Sequence, residues 1–296
     1  MRLSETIAGP LVAAFDATLG VRRARPLNER SRTAAGPAPE SIDEALAAAL
    51  SRLLAQLNRP EAVDYGRLAG SAAFREYLRA ASWLGQFDPA TLDERRARAF
   101  WLNTYNGLVI HAVVARRVTR SVLLDPGFFR RNAYLVGGQR VSLDDIEHGV
   151  LRGNAPHPFL RVRAFRPADP RRRWSLPCDP RVHFALVCAA RSCPRLAVYE
   201  GYRLEEQLEA ATAGFLAGGG VVAEPGALRL SPIFRWYADD FGGERGVRTF
   251  LSRYVSDSDV RQLLAGGAPV RYERWDWRLN GVAAARRGRS GSVSRA

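Results

Sequence analysis

The sequence predicts an α+β fold in which a helical N-terminal half packs on a mostly antiparallel sheet. Two observations carry that expectation. From Ser41 to Arg117 the apolar residues recur at helical spacing. After Arg131, short runs rich in β-branched and aromatic residues take over, separated by glycine and proline. At 296 residues and 47% apolar content the chain has ample material for a core, as one large domain or two small ones. The expected organisation is an arm and linker over 1–40, a single domain over 41–283 and a disordered basic tail over 284–296.

Taken in order, Ile7 to Leu19 reads as a short amphipathic helix. Glu5, Asp16 and the Gly9-Pro10 break make it a poor signal peptide. Arg22 to Glu40 is rich in Arg, Pro, Ala and Gly and reads as a linker. Ser41, with Glu44 three residues on, starts a helix running to Leu57, and Asp64 to Leu84 continues helical. Asp93 to Arg117 is the strongest helix. Its Ala99–Ala112 stretch is apolar nearly all round, which marks burial on most sides. Asn103 and Asn106 lie three apart on one part of that helix and must find partners when buried. Bracing a backbone loop is favoured over a role toward substrate. His111 lies on another face and reads as a core histidine with a satisfied ring.

Ala133 to Ser142 is a hairpin signal around Gly137-Gly138. Ser142 then caps a helix, with Asp145 three on. Within Leu143–Leu151 the apolar arc is 143, 146, 150 and 151, and at 100° per residue Glu147 falls in its middle while His148 points away. A carboxylate aimed into a core needs a partner, either His183 or a buried arginine. Pro156 to Asp179 reads as an irregular surface excursion.

Val182 to Val187, entered through Asp179-Pro180, reads as an inner strand that extends to Cys188. Alternation would put His183, Ala185 and Val187 on one face and Phe184, Leu186 and Cys188 on the other. His183 could then not meet Cys188, whereas Cys193, beyond a turn, could return toward His183. Leu204 to Leu216 is an amphipathic helix ended by Gly218-Gly219-Gly220. Val221-Val222 and Leu228–Leu230 are short strands, Ser231–Gly242 a short helix and Val270–Leu279 a final strand.

The formal charge is +14 and every basic residue is arginine, which excludes Schiff-base and lysine-nucleophile chemistry. Arg161–Arg173 and the tail carry most of the excess, with no nucleic-acid-binding motif beside them, so nucleic acid is not expected as a partner. No window is long and apolar enough to span a membrane. Cytoplasm is the default location, where the three cysteines stay reduced.

One of four histidines and two of three cysteines fall between His183 and Cys193. That concentration suggests a thiol hydrolase or acyltransferase. Cys193 would be the nucleophile, His183 its base and Glu147 the orienting group, with an amide of Asn103 or Asn106 facing an oxyanion. The substrate would be a small molecule or peptide of unknown identity, with no cofactor. The alternative is a non-catalytic binding module in which these residues are structural. A redox or metal site is the third reading, but Cys-x4-Cys with one histidine supplies too few ligands for structural zinc.

Four segments together resemble the DUF547 domain. They are Phe100–Asn106, Leu143–Arg152, Asp179–Pro194 and Leu230–Tyr237 with Asp240-Phe241-Gly242. The likeness runs in order from about Ala45 to Gly281. The family's name records an unknown function, so the resemblance implies a family and no mechanism. Many bacterial members resemble exported proteins, which leaves export open. The order of helices, then strands, with a histidine opening a strand is also similar to papain- or transglutaminase-like cores. There a cysteine begins the buried helix, where this chain has Asn103 and Asn106.

Overall fold

The structure, a computed structural model, describes residues 3–29, 36–56 and 63–281. The helical half runs α1 (Leu3–Thr18), α2 (Ile42–Leu54), α3 (Tyr65–Ala69), α4 (Ala72–Trp83) and α5 (Glu94–Arg116). Each start has a local cause. Asp64, Ser71 and Asp93 accept hydrogen bonds from the backbone N–H three residues on, so the stretch read as one helix breaks into α3 and α4 at Gly70-Ser71. Ser41 does not close a box with Glu44. Its hydroxyl donates to Asp43, and Asp43 is gripped by Arg96, tying α2 to the first turn of α5. Every residue of α5 from 97 to 113 is buried, as expected of a helix apolar on all sides.

After α6 (Phe128–Arg131) comes the hairpin of β1 (Ala133–Val136) and β2 (Gln139–Ser142), in antiparallel register with Tyr134 opposite Val141. Gly137 and Gly138 both take positive φ, 52° and 74°, as a two-residue turn of this hand requires. The stretch read as a loose arm contacts this hairpin. Leu27 donates to the Ala133 carbonyl, and the buried Asn28 side chain bonds Ala81 and both backbone groups of Leu135.

The second half contains α7 (Leu204–Phe215), β3 (Val221–Glu224), β4 (Ala227–Leu230), α8 (Ile233–Trp236), α9 (Gly243–Tyr254), α10 (Ser258–Ala265) and β5 (Val270–Tyr272). β4 pairs antiparallel with β3 and parallel with β5. The fold is α+β, but among the described residues its sheets are small, one of two strands and one of three. One apolar cluster surrounds α5 and another gathers Phe234, Phe241, Val247 and Leu251. Phe184 belongs to the second cluster while Val182 and Ala185 belong to the first, so the segment around His183 joins the two.

Two expectations fail in the second half. Val182–Cys188 is not a strand. Asp179 accepts from Arg181 N–H and Pro180 fills the first helical position, which starts a 3-10 turn over Pro180–Phe184. The β-branched and aromatic residues there reflect burial rather than extension. Val270–Leu279 keeps ladder pairing only to Tyr272, with isolated bridges at Leu279 and Gly281. The excursion over Pro156–Asp179 is pinned by two buried aromatics. Phe165 exchanges backbone bonds with the Asn154 amide, and the Trp174 indole donates to Asp88. Among the described residues no helix is long and apolar enough to cross a membrane. The expected basic tail lies outside the described residues.

Candidate active site

A cavity of about 240 Å³ lies where the two clusters meet. Its apolar wall includes Phe159, Leu186, Ile233, Trp236, Trp275 and Trp277. Its polar wall carries Tyr105, Asp144, Glu147, His148, His157, His183, Cys188, Cys193 and Tyr237. Three of the five residues singled out from the sequence, Glu147, His183 and Cys193, therefore line one space.

Asn103 and Asn106 do not line it, and each spends both ends of its amide on backbone. Asn103 donates to the Tyr199 carbonyl and accepts from the Tyr199 N–H. Asn106 donates to the Ala185 carbonyl and accepts from the Val187 N–H. In this way α5 fixes the irregular segment that carries His183.

His183 is held by Asp240, with Nε2 2.8 Å from Oδ2. Arg152 grips the same carboxylate through two nitrogens, completing an Arg–Asp–His chain whose side chains are buried. Burial works against the charge on Asp240, but the hydrogen bonds from His183 and Arg152, with the guanidinium charge, outweigh it. Its carboxyl is held down to about 2. No hydrogen bond joins His183 to Cys193 among the described residues. Glu147 does not touch His183 either. It accepts from the hydroxyls of Tyr105 and Tyr237 at 3.1 and 2.5 Å, and the Tyr237 ring stacks on the His183 imidazole at 3.9 Å. Burial, and then the nearby Glu147 charge, push both phenols well above their usual range, so both remain donors.

The helix bearing Glu147 explains a further departure. The segment Asp145–Leu151 is π-helical, with Arg152 N–H bonding the Glu147 carbonyl five residues back. The wider turn brings His148 inward beside Glu147, both buried, where the 3.6-residue period would have pointed His148 away.

Cys188 and Cys193 meet across a tight turn. Their sulfurs are 2.7 Å apart, and Cys193 Sγ also accepts the Cys188 backbone N–H at 3.0 Å. The hydrogen bond to Cys193 and burial push the Cys188 thiol well up. Ala189 takes a left-handed conformation, φ 62°, to make the turn.

Asp144, His148 and His157 bring ligand atoms within 4.8 Å of one another, which raises the question of a metal. The hydrogen bonds answer it. His148 Nδ1 faces Arg152, whose guanidinium can only donate, and His157 Nδ1 accepts the backbone N–H groups of Phe159 and Leu160. Both neutral rings thus carry their proton on Nε2, so neither offers that nitrogen's lone pair to a cation. Burial pushes Asp144 up to about 8 and His157 down to about 3.

Residues 89–216 match the family whose description is "Protein of unknown function, DUF547". The segment is a DUF547 domain. No curated protein and no solved structure matches the chain, so the papain- or transglutaminase-like expectation gains no support. The matched DUF547 segment holds Asn103, Asn106, Glu147, Arg152, His183, Cys188 and Cys193, while Asp240 and Tyr237 come from beyond it. Asp240, Arg152, Tyr237 and Cys188 went unassigned in the sequence reading. The signal for Asp240 was present, because Asp240-Phe241-Gly242 is one of the four segments that carry the resemblance.

Proposed function

We propose that this DUF547 protein is a thiol-dependent hydrolase or acyltransferase acting on small apolar or aromatic acyl groups. The observation that carries the reading is the oriented imidazole of His183, fixed by Asp240 and Arg152, in the wall that also holds the Cys193 sulfur. With Nε2 bound to Asp240, Nδ1 is the nitrogen left to exchange a proton. Cys193 would attack the acyl carbonyl as its proton passes to His183, and His183 would return that proton to the leaving group. The resulting thioester on Cys193 would yield to water or to a second nucleophile. The Cys188 backbone N–H points at the Cys193 sulfur from 3.0 Å.

Asp240 takes the orienting role first expected of Glu147, and Glu147 reaches the imidazole only through Tyr237. The tryptophan-rich wall and the small volume suit a short acyl chain or one aromatic ring. A second reading, a non-catalytic binding module, is favoured by the separation of His183 from Cys193 and by the mutual satisfaction of Glu147 with its two tyrosines.

Rapid mixing with p-nitrophenyl esters of acetic, butyric and benzoic acid separates the two. The enzyme reading expects a burst of p-nitrophenol stoichiometric with protein, lost in Cys193→Ala and His183→Ala. Quenching of tryptophan fluorescence by the ester without any burst would favour the binding module.

A further inference from the structure

We infer that Cys188 and Cys193 form a reversible intramolecular disulfide, so that the site is also a redox modification site. The two sulfurs are brought together by the scaffold rather than by chance exposure. Asn106 holds the Val187 N–H just before the turn, and Cys193 N–H closes it on the Ala190 carbonyl. From the far side, Asn280 N–H bonds the Ala189 carbonyl, Arg191 N–H the Arg278 carbonyl and Asp276 N–H the Ser192 hydroxyl. At 2.7 Å the sulfurs sit too close to share a metal, since two thiolates on one tetrahedral zinc stand about 3.8 Å apart.

The chemistry takes a hydroperoxide as oxidant. The Cys193 sulfur attacks one oxygen of hydrogen peroxide, the O–O bond breaks, and water leaves behind a sulfenic acid on Cys193. The Cys188 sulfur then attacks the Cys193 sulfur. The S–O bond breaks, and the departing hydroxide takes the Cys188 proton to leave as a second water. Two thiols lose two electrons in all, and one peroxide becomes two waters. Cys188 is thus the resolving thiol that keeps Cys193 from further oxidation. Cys178 is exposed, but burial of its thiol against water pushes it up to about 12, so it is a poor competitor for peroxide. Only the consequence for catalysis rests on the proposed function: the disulfide would silence Cys193 until a thiol reduces it.

The test is a non-reducing tryptic map of the full chain after hydrogen peroxide, with remaining thiols blocked by iodoacetamide in denaturant. Cleavage after Arg181, Arg191 and Arg195 puts Cys188 and Cys193 on separate peptides, 182–191 and 192–195. The expected product is those two peptides joined, parted by dithiothreitol, with Cys178 alkylated. In Cys188→Ser, Cys193 should accumulate as sulfinic acid; should that variant not fold, the wild-type map decides alone. Cys193 recovered as sulfinic or sulfonic acid in the wild type, with Cys188 alkylated, would overturn the inference. A chain that forms the bond but gives no ester burst in either redox state retains the disulfide and loses the enzyme reading.

Discussion

His183 Nε2 lies 2.8 Å from Asp240 Oδ2, across 57 positions of sequence, and Arg152 closes the far side of that carboxylate. The 3-10 turn at Pro180 aims the imidazole, and the short helical turn Ala238–Phe241 supplies the acid. Asp240→Asn should therefore cost roughly 10²–10⁴ in acyl turnover, because the amide no longer fixes one tautomer of His183. Steady-state kinetics checks it, and turnover equal to wild type would remove Asp240 from the mechanism.

The same carboxylate sets a stability window. Its folded value near 2 lies below the usual carboxylate range, so its contribution is present above about pH 4 and is lost as pH falls toward 2. Denaturant unfolding of wild type and Asp240→Asn should converge over that interval.

His111 Nδ1 lies 3.0 Å from the Tyr134 hydroxyl in the core, and burial pushes the ring down to about 4. A histidine depressed on folding loses stability as pH falls, because below about 6.5 the unfolded chain takes up a proton that the folded one refuses. His111 and His157 should each cost about 2 kcal/mol at pH 5. Urea midpoints should fall between pH 7.5 and 5, and the ring protons of His111 should not titrate across that range. A titration near 6.5 would contradict the buried, neutral assignment.

Asn106→Ala leaves the Ala185 carbonyl and the Val187 N–H without partners, at a cost of about 2–4 kcal/mol. Because those groups hold the segment between His183 and Cys188, the ester burst should also weaken. Unchanged stability would mean that water replaces the amide freely.

Gly107→Ala opposes two effects. Alanine improves helix propensity by about 1 kcal/mol. Its Cβ would run into the Tyr77 hydroxyl, whose ring is packed and whose oxygen meets Tyr134. Overpacking of about 1–3 kcal/mol should win. Thermal melting of the variant decides the sign.

Helices and hairpin were legible because periodicity, caps and glycine pairs act over a few residues, as at Asp93 and at Gly137-Gly138. The segment around His183 was not. Its hydrophobic run satisfied a strand pattern, but Asp179-Pro180 begins a 3-10 turn, and the Asn106 amide takes the backbone bonds that a neighbouring strand would have made. The inward turn of His148 was hidden for a related reason, since a π-helical turn breaks the 3.6-residue period on which the reading relied. The pairing of Asp240 with His183 depends on tertiary approach, which no local spacing encodes.

The account rests on Cys193 and His183 working together in one cavity. The most direct measurement is the rate of iodoacetamide labelling at each cysteine of the native protein at pH 7, read by tryptic mass spectrometry. Cys193 should label ahead of the exposed Cys178 and the buried-thiol Cys188, and His183→Ala and Asp240→Asn should each slow it severalfold. If Cys178 labels first and the rate at Cys193 is the same in all three proteins, the thiol and the imidazole are not coupled.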